Sequence, residues 1–314
     1  MSDVPVTPDD IEAAARRLEG HVRRTPVLAM EPGAFGVEAD CVLKLELLQH
    51  AGSFKPRGAF NRVLASDVPA TGVVAASGGN HGVAVAHVAR ALGHRAEIFV
   101  PATSPAAKVD RIRALGADVQ VGGAIYDDAQ TTATARAAET GALLVHPYDH
   151  PLVVAGQGTM AREVEEQVGG FDTVLVAVGG GGLIAGVCAW FGDRVRIISV
   201  EPETIPAMLE ARRAGHPVEV GVSGLAADSL GAKAIGAVPF ACADPFVDEA
   251  VLVSDDAIRV AQRELWASVQ LMAEPGGAAA LAALLAGAYR PAPGERVVVV
   301  ACGSNVDPAT VVTP

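Results

Sequence analysis

Gly52-Ser53-Phe54-Lys55-Pro56-Arg57-Gly58-Ala59 sets a lysine between a small-polar-aromatic run and a proline, with Arg-Gly following. Lysine is scarce here. Lys44, Lys55, Lys108 and Lys233 stand against twenty arginines, so a lysine in this setting is more than casual surface charge. Before it, Val42-Leu43-Lys44-Leu45-Glu46-Leu47-Leu48 alternates as a half-buried strand does. After it, Ala59-Phe60-Asn61-Arg62-Val63-Leu64 reads as the first turns of a helix, with Pro56 suited to the first helical position. An amine at a helix start feels the positive end of the dipole. That lowers its pKa and frees it as a nucleophile able to form a Schiff base with an aldehyde. The octapeptide alone suits a snorkelling surface lysine equally well, so the rest of the chain has to decide.

Outward from this stretch, strands and helices alternate. Upstream, Thr7-Pro8-Asp9-Asp10 predicts a capped helix start, with Ile11, Ala14, Ala15 and Leu18 as its apolar stripe, and Arg24–Leu28 predicts a short extended segment. Downstream, the pattern predicts strands at Val73–Ala76, Ala96–Val100, Asp118–Val121 and Leu143–His146. Helices are expected from Val83 to Leu92, from Ser104-Pro105 to Gly116 and from Asp127 to Thr140. A second block follows, with a helix Val153–Val168, a strand Asp172–Val178, a helix Leu183–Phe191 and a strand Val195–Val200. Glu219–Asp248 reads as irregular. Ser254 caps a helix to about Met272, Glu274-Pro275-Gly276-Gly277 breaks it, and Ala278–Ala286 is helical before the apolar strand Val297–Ala301. This predicts an α/β protein of two doubly wound open-sheet domains. Residues 71–149 form the smaller domain, and residues 1–70 with 150–314 a discontinuous larger one.

Composition narrows the classes. The 314 residues are 50% apolar but only 4% aromatic, which suits parallel sheets buried on both faces. Net charge is −12 and basic residues cluster no further than pairs such as Arg16-Arg17, so neither nucleic acid nor an anionic membrane is an expected partner. No apolar run spans a bilayer, and Met1-Ser2-Asp3-Val4-Pro5 has no secretory pattern. Cysteines 41, 188, 242 and 302 show no metal spacing, and no metal is expected. The expectation is a soluble, reduced, cytoplasmic protein.

Two loops at strand ends carry chemistry. Gly179-Gly180-Gly181-Gly182 lies between a strand and a helix, where backbone N–H groups and the dipole make an anion site. Gly180-x-Gly182-x-x-Ala185 also fits a dinucleotide fingerprint, with Glu201 near the place of a ribose-binding acid. Ser77-Gly78-Gly79-Asn80-His81-Gly82 offers a hydroxyl, an amide, an imidazole and free N–H groups that can hold a carboxylate or a ring hydroxyl. His81 alone reads equally as a structural histidine. Cys302 alone reads as a small hydrophobe, and Glu201, Asp228 and Glu274 as helix-end or turn acids.

Taken in order, these segments resemble the serine/threonine dehydratases (threonine ammonia-lyases), pyridoxal-phosphate enzymes of fold type II with a tryptophan synthase β-like arrangement. The resemblance runs from about residue 8 to residue 308. It rests on the lysine octapeptide, Ser77 to Gly82, Ala155-Gly156-Gln157-Gly158-Thr159, Gly179 to Leu183, Val200-Glu201-Pro202, Glu274-Pro275 and Cys302-Gly303-Ser304-Asn305. It implies that Lys55 holds pyridoxal 5'-phosphate and then acts as the base at Cα, with Phe54 against the pyridine ring. Asn80 would bond the ring hydroxyl, and Gly179, Gly180, Gly181, Gly182 and Leu183 would cradle the phosphate. Ser77, Gly78, Gly79, Asn80 and His81 would bind the substrate carboxylate. Cys302 would face the pyridine nitrogen, where a thiol keeps the ring largely neutral and favours prompt loss of a β-leaving group. The implied reaction converts L-threonine to 2-oxobutyrate, or L-serine to pyruvate, with release of ammonia.

Departures from the family pattern sharpen the expectation. Racemases of this kind carry a serine where this chain has Gly78, so racemisation is not expected, and Gly78→Ser is expected to introduce it slowly. The acid matching Glu201 belongs to a metal site whose second carboxylate falls here at Ala207, which disfavours a divalent ion. Ser229 replaces a glycine of relatives. The chain stops soon after Asn305, so a regulatory domain and feedback by isoleucine are not expected. Rival readings are the same chemistry on 3-hydroxyaspartate, β-replacement as in cysteine synthase, a nicotinamide oxidoreductase, and an inactive amino-acid-binding module. Relatives are often homodimers or homotetramers, and the same is expected here.

Overall fold

The computed structural model describes residues 4–104 and 106–312. Pro105, expected to open a helix with Ser104, and Met1 to Asp3, part of the stretch read as lacking a secretory pattern, lie outside them.

The strands are β1 (Val27–Ala29), β2 (Asp40–Lys44), β3 (Val73–Ala76), β4 (Ala96–Val100), β5 (Asp118–Val121) and β6 (Leu143–Leu144). They continue with β7 (Thr173–Ala177), β8 (Arg196–Pro202), β9 (Glu249–Val253) and β10 (Arg296–Val300). One sheet has the order β1-β2-β10-β7-β8-β9, parallel except for β1, and the other has the order β5-β4-β3-β6, parallel throughout. The centre of the larger sheet is aliphatic for a reason. Val297 to Val300, Val174 to Val176 and Ile197-Ile198 are buried, as strands covered on both faces by helices must be. The helix Pro275–Leu285 is buried from Gly276 to Leu284, which its run of Ala and Leu permits.

The chain's last strand inserts between its second and its seventh. That placement brings the end of β10 beside the loop leading to Lys55: Ser53 bridges to Gly303, and Phe54 N–H donates to Cys302 O at 3.1 Å. In each sheet the strand order reverses once, between β7 and β10 in the larger and between β3 and β6 in the smaller. Crevices at the carboxyl ends of parallel strands open at such reversals, and both candidate loops follow those strands. The helix Lys55–Leu64 joins the two halves. Its Ala59, Phe60 and Val63 pack with Val83, Val85, Val88 and Ile98 of the smaller half, while Gly156 lets its backbone close on the helix Pro151–Val168. A Cβ at Gly156 would sit 2.5 Å from Arg57 O, and one at Gly186 2.4 Å from Gly158 N. Gly156 and Gly158 of this helix are the places where its neighbours touch it.

Several expectations need correction. The stretch Val42–Leu48 is a strand only to Lys44, buried on both faces, and Glu46–Leu48 forms a 3₁₀ turn. The alternation misled because Lys44 and Glu46 are fully buried ions. The helix after β3 starts at Asn80, three residues early. Pro275-Gly276-Gly277 begins a helix rather than breaking one, since Gly277 admits Gly303, whose carbonyl would lie 2.1 Å from an added Cβ. The irregular stretch contains the helices Ala227–Leu230 and Ala237–Ala243, and the strand β9 and the helix Ala207–Ala214 had no clear signal.

Candidate active site

Lys55 is the first residue of its helix and points its amine at Pro147 O, 2.9 Å away, with the Phe54 ring centroid at 5.0 Å. Its pKa is pushed down to about 8. Loss of water around the amine is the main cause, opposed by Cys302 and Glu274. Desolvation therefore does what the helix dipole was expected to do. An amine in this state is deprotonated far more often than a surface lysine.

Glu274, buried, sits between the halves. Its Oε1 accepts from Asn80 Nδ2 at 2.5 Å, and burial pushes its pKa up to about 7, against Asn80, Lys108, Arg111 and Lys55, which pull it down. Asn305 Nδ2 donates to Asn80 Oδ1 at 2.6 Å, and Arg111 holds Asn305 Oδ1 in turn. The Asn80 amide is thus fixed from both ends, with one N–H left over. Cys302, buried beside them, donates its thiol to Gly276 O at 3.3 Å, and burial pushes the thiol up to about 12. It is a neutral group at ordinary pH.

The glycine loop after β7 is closed to side chains and open in its backbone. A Cβ on Gly179 would meet Leu230 O at 2.9 Å, one on Gly180 the Tyr148 ring at 2.2 Å, and one on Gly181, whose φ is +87°, Ile235 at 2.6 Å. Among the described residues, the N–H groups of Gly179, Gly180, Gly181, Gly182 and Leu183 donate to no group of the chain, at the start of the helix Gly182–Phe191. An array of unspent donors at a helix N-terminus is an anion site.

The loop after β3 is built similarly. Ser77 Oγ accepts from Gly79 N–H at 3.1 Å, while the N–H groups of Gly78, Asn80 and His81 are unspent among the described residues. The His81 ring is anchored by one edge: it is buried, Nε2 lies 2.8 Å from Val145 O, and burial pushes its pKa down to about 3, so the ring is a neutral, largely structural group beside the backbone N–H. Gly78 is filled from outside: a Cβ there would sit 2.3 Å from Ser104 Oγ, so Gly78→Ser requires Ser104 to turn away, a condition invisible in the sequence.

Segment 146–149 links the lysine to the glycine loop, though the sequence offered only His146, as the end of an expected strand that stops at Leu144. Pro147 takes the amine, Tyr148 lies under Gly180 and Gly182, and His146 Nδ1 accepts from Asp149 N–H at 2.8 Å. Glu201 stands apart, accepting from Met208 N–H at 2.6 Å and Leu209 N–H at 2.9 Å.

A desolvated amine, a neutral thiol and an unspent phosphate-sized cradle fit a phosphorylated aldehyde. Ser53 Oγ, buried without a partner next to the lysine, is a further polar atom that such a guest can satisfy. The comparisons with known proteins agree. The family model described as "Pyridoxal-phosphate dependent enzyme" matches residues 18–303. The chain is 36% identical over 307 residues to the L-threonine ammonia-lyase of Thermotoga maritima, covering 96% of this chain and 76% of that one. It is 39% identical to a putative threonine dehydratase of Sinorhizobium fredii, covering 95% and 92%. It spans 56% of the biosynthetic L-threonine dehydratase of Escherichia coli, at 37% identity over 90% of this chain. Among solved structures it is similar to the T.th. threonine deaminase, with a TM-score of 0.89 and 35% identity over 96% and 99% of the two chains. It is similar also to maize serine racemase, with a TM-score of 0.91 and 32% identity over 98% and 96%.

Proposed function

This chain belongs to the pyridoxal-phosphate dependent enzymes, and we propose that it is an ammonia-lyase that converts L-threonine, and L-serine with it, to the 2-oxo acid and ammonia. The observation that carries the proposal is the amine of Lys55, drawn down to about 8 where two loops of unspent N–H groups converge. The named relatives supply the substrate class.

In this reading Gly179 to Leu183 would hold the phosphate, Phe54 would lie along the ring, the spare Asn80 N–H would bond the ring hydroxyl and Cys302 would face the ring nitrogen. When bound, the cofactor supplies a sink for the electrons left at Cα. The chain's own residues do the rest. Lys55 takes the Cα proton, and the N–H groups of Gly78, Asn80 and His81 with the Ser77 hydroxyl hold the α-carboxylate. The β-hydroxyl leaves as water, and the released enamine takes water back to give oxo acid and ammonia. Glu274 positions Asn80. The neutral Cys302 thiol places no anion against the ring nitrogen, which suits elimination over transamination. The assignment of residues 71–149 to the substrate side and the remainder to the cofactor side belongs to this proposal, as do a dimeric or tetrameric state, to be read by light scattering, and a cytoplasmic location. No helix among the described residues is long and apolar enough to cross a membrane.

The test is a visible spectrum of the purified protein, then oxo acid and ammonia followed after addition of L-threonine or L-serine. A Schiff-base band and appearance of oxo acid are expected. Lys55→Ala should fold yet lose turnover by at least about 10³-fold. A band with no turnover on either amino acid, but with turnover on 3-hydroxyaspartate, would move the substrate. Undiminished ammonia release by Lys55→Ala would end the mechanism.

A further inference from the structure

Gly78 leaves a notch in the loop after β3, and a different segment fills it. A Cβ built on Gly78 would lie 2.3 Å from Ser104 Oγ and 2.9 Å from Ser104 Cβ, so the serine stands where a side chain of residue 78 would begin. Ser104 comes from the turn after β4, with its N–H on Pro101 O at 3.0 Å, and is only half-buried. Among the described residues nothing hydrogen-bonds its hydroxyl. A half-buried hydroxyl with no partner, set against a loop whose N–H groups are also unspent, is a donor free to rotate toward an anion. Ser77, the loop's own hydroxyl, accepts from Gly79 N–H and keeps its O–H to donate, so Ser104 would be a second hydroxyl donor to the same anion.

We propose that Ser104 is a substrate-contacting residue, whose hydroxyl reaches through the Gly78 notch and donates to the α-carboxylate of the amino acid held by the loop Ser77–His81. The inference rests on the proposed function, because it takes that loop to be the carboxylate site. A hydrogen bond from a hydroxyl to a carboxylate is worth more than one between neutral groups, so its loss is visible in binding. Glycine at 78 is then required by the fold, to leave room for the incoming hydroxyl.

Two variants of the holoenzyme test this: Ser104→Ala, and the transplant Gly78→Ser with Ser104→Gly, which delivers the hydroxyl from the other backbone. The readouts are kcat and KM for L-threonine, the calorimetric Kd of L-alanine, which lacks a β-leaving group, and thermal unfolding. Ser104→Ala is expected to raise KM and Kd about tenfold with kcat within about twofold, the scale of one hydrogen bond to a charged group. The transplant is expected to restore Kd to within about threefold of the parent. An unchanged Kd in Ser104→Ala overturns the inference, whether or not the melting temperature moves. If the parent turns over no β-hydroxy amino acid, the functional reading fails by itself, and the L-alanine Kd comparison still decides Ser104.

Discussion

At the scale of single residues, the octapeptide contains two cations with opposite fates. Lys55, half-buried, loses water around its amine and holds its proton weakly, whereas Arg57, fully buried, keeps its charge because it is paired on every side. Its Nε and Nη2 donate to Glu46 at 2.8 Å, and Nη1 and Nη2 to Glu163 at 2.7 and 2.8 Å. Lys44 Nζ joins Glu163 at 2.8 Å and Thr25 O at 2.8 Å. Removing one member of a buried ionic network leaves uncompensated charge behind, so Arg57→Ala is expected to lower unfolding free energy by about 3–5 kcal/mol. Arg162→Ala breaks the more exposed pair with Glu12 and should change it by less than about 1 kcal/mol. Urea unfolding of the two variants gives the comparison, and equal losses would show that the network is solvated. Lysine scarcity made Lys55 legible in the sequence. The buried network was not legible, because Lys44, Glu46 and Glu163 are scattered over more than a hundred positions and each reads alone as surface charge.

At the scale of elements, the legible ones were those with local punctuation. The helix Pro8–Leu18 begins with Thr7 as cap and Pro8 at its first position, and β3, β4 and β5 match their expected limits residue for residue. Where tertiary contact overrides local chemistry, the sequence misled. Gly276 and Gly277 look like a break but admit a neighbouring backbone, and Glu249-Ala250-Val251-Leu252-Val253 is a strand only because β8 pairs with it. Glu201 shows such a tertiary junction with a measurable consequence. It ends β8 by accepting the N–H groups that start the helix Ala207–Ala214, and burial lifts its pKa from 4.5 to about 7. The raised value means that the folded protein holds a proton that the unfolded chain gives up between those two pH values. This contribution to stability is complete below about 4.5 and is lost as pH rises through about 7. A decline on the order of 3 kcal/mol across pH 5–8 is expected from this group, and Glu201→Gln should flatten the curve by that amount while starting lower at pH 5, since an amide offers one acceptor to two donors. Glu274 titrates in the same direction and stays in both proteins, so the difference between the curves isolates Glu201. Parallel curves would mean that its carboxylate is ionised in both states.

At the scale of the molecule, besides the Asn80 hydrogen bonds already described, charged pairs and apolar packing join the four-stranded half to the rest, and magnitudes decide which of these two holds it. Charged pairs cross the mouth of the cleft, Lys108 with Asp228 and Lys233 with Asp127, but Asp228 is 57% exposed and its partner 22%, so each is worth about 1 kcal/mol or less. Behind them, the helix Lys55–Leu64 drives Phe60, 1% exposed, into the core of the smaller half, against the helix that begins at Asn80. Truncating such a ring costs about 3–5 kcal/mol. The lysine helix is therefore also a packed link between the two sheets, which ties the distance between Lys55 and the Asn80 loop to hydrophobic packing and not to the charges at the rim. Hydrogen exchange separates the two. Phe60→Ala should speed exchange throughout β3 and β4, whereas Asp228→Asn should speed it only in the helix Ala106–Ala114 that carries Lys108, leaving the strands protected. The Asp228→Asn variant is expected to leave global stability within about 1 kcal/mol of the parent. If Asp228→Asn exposed the strands as fully as Phe60→Ala does, the rim charges would be what closes this cleft.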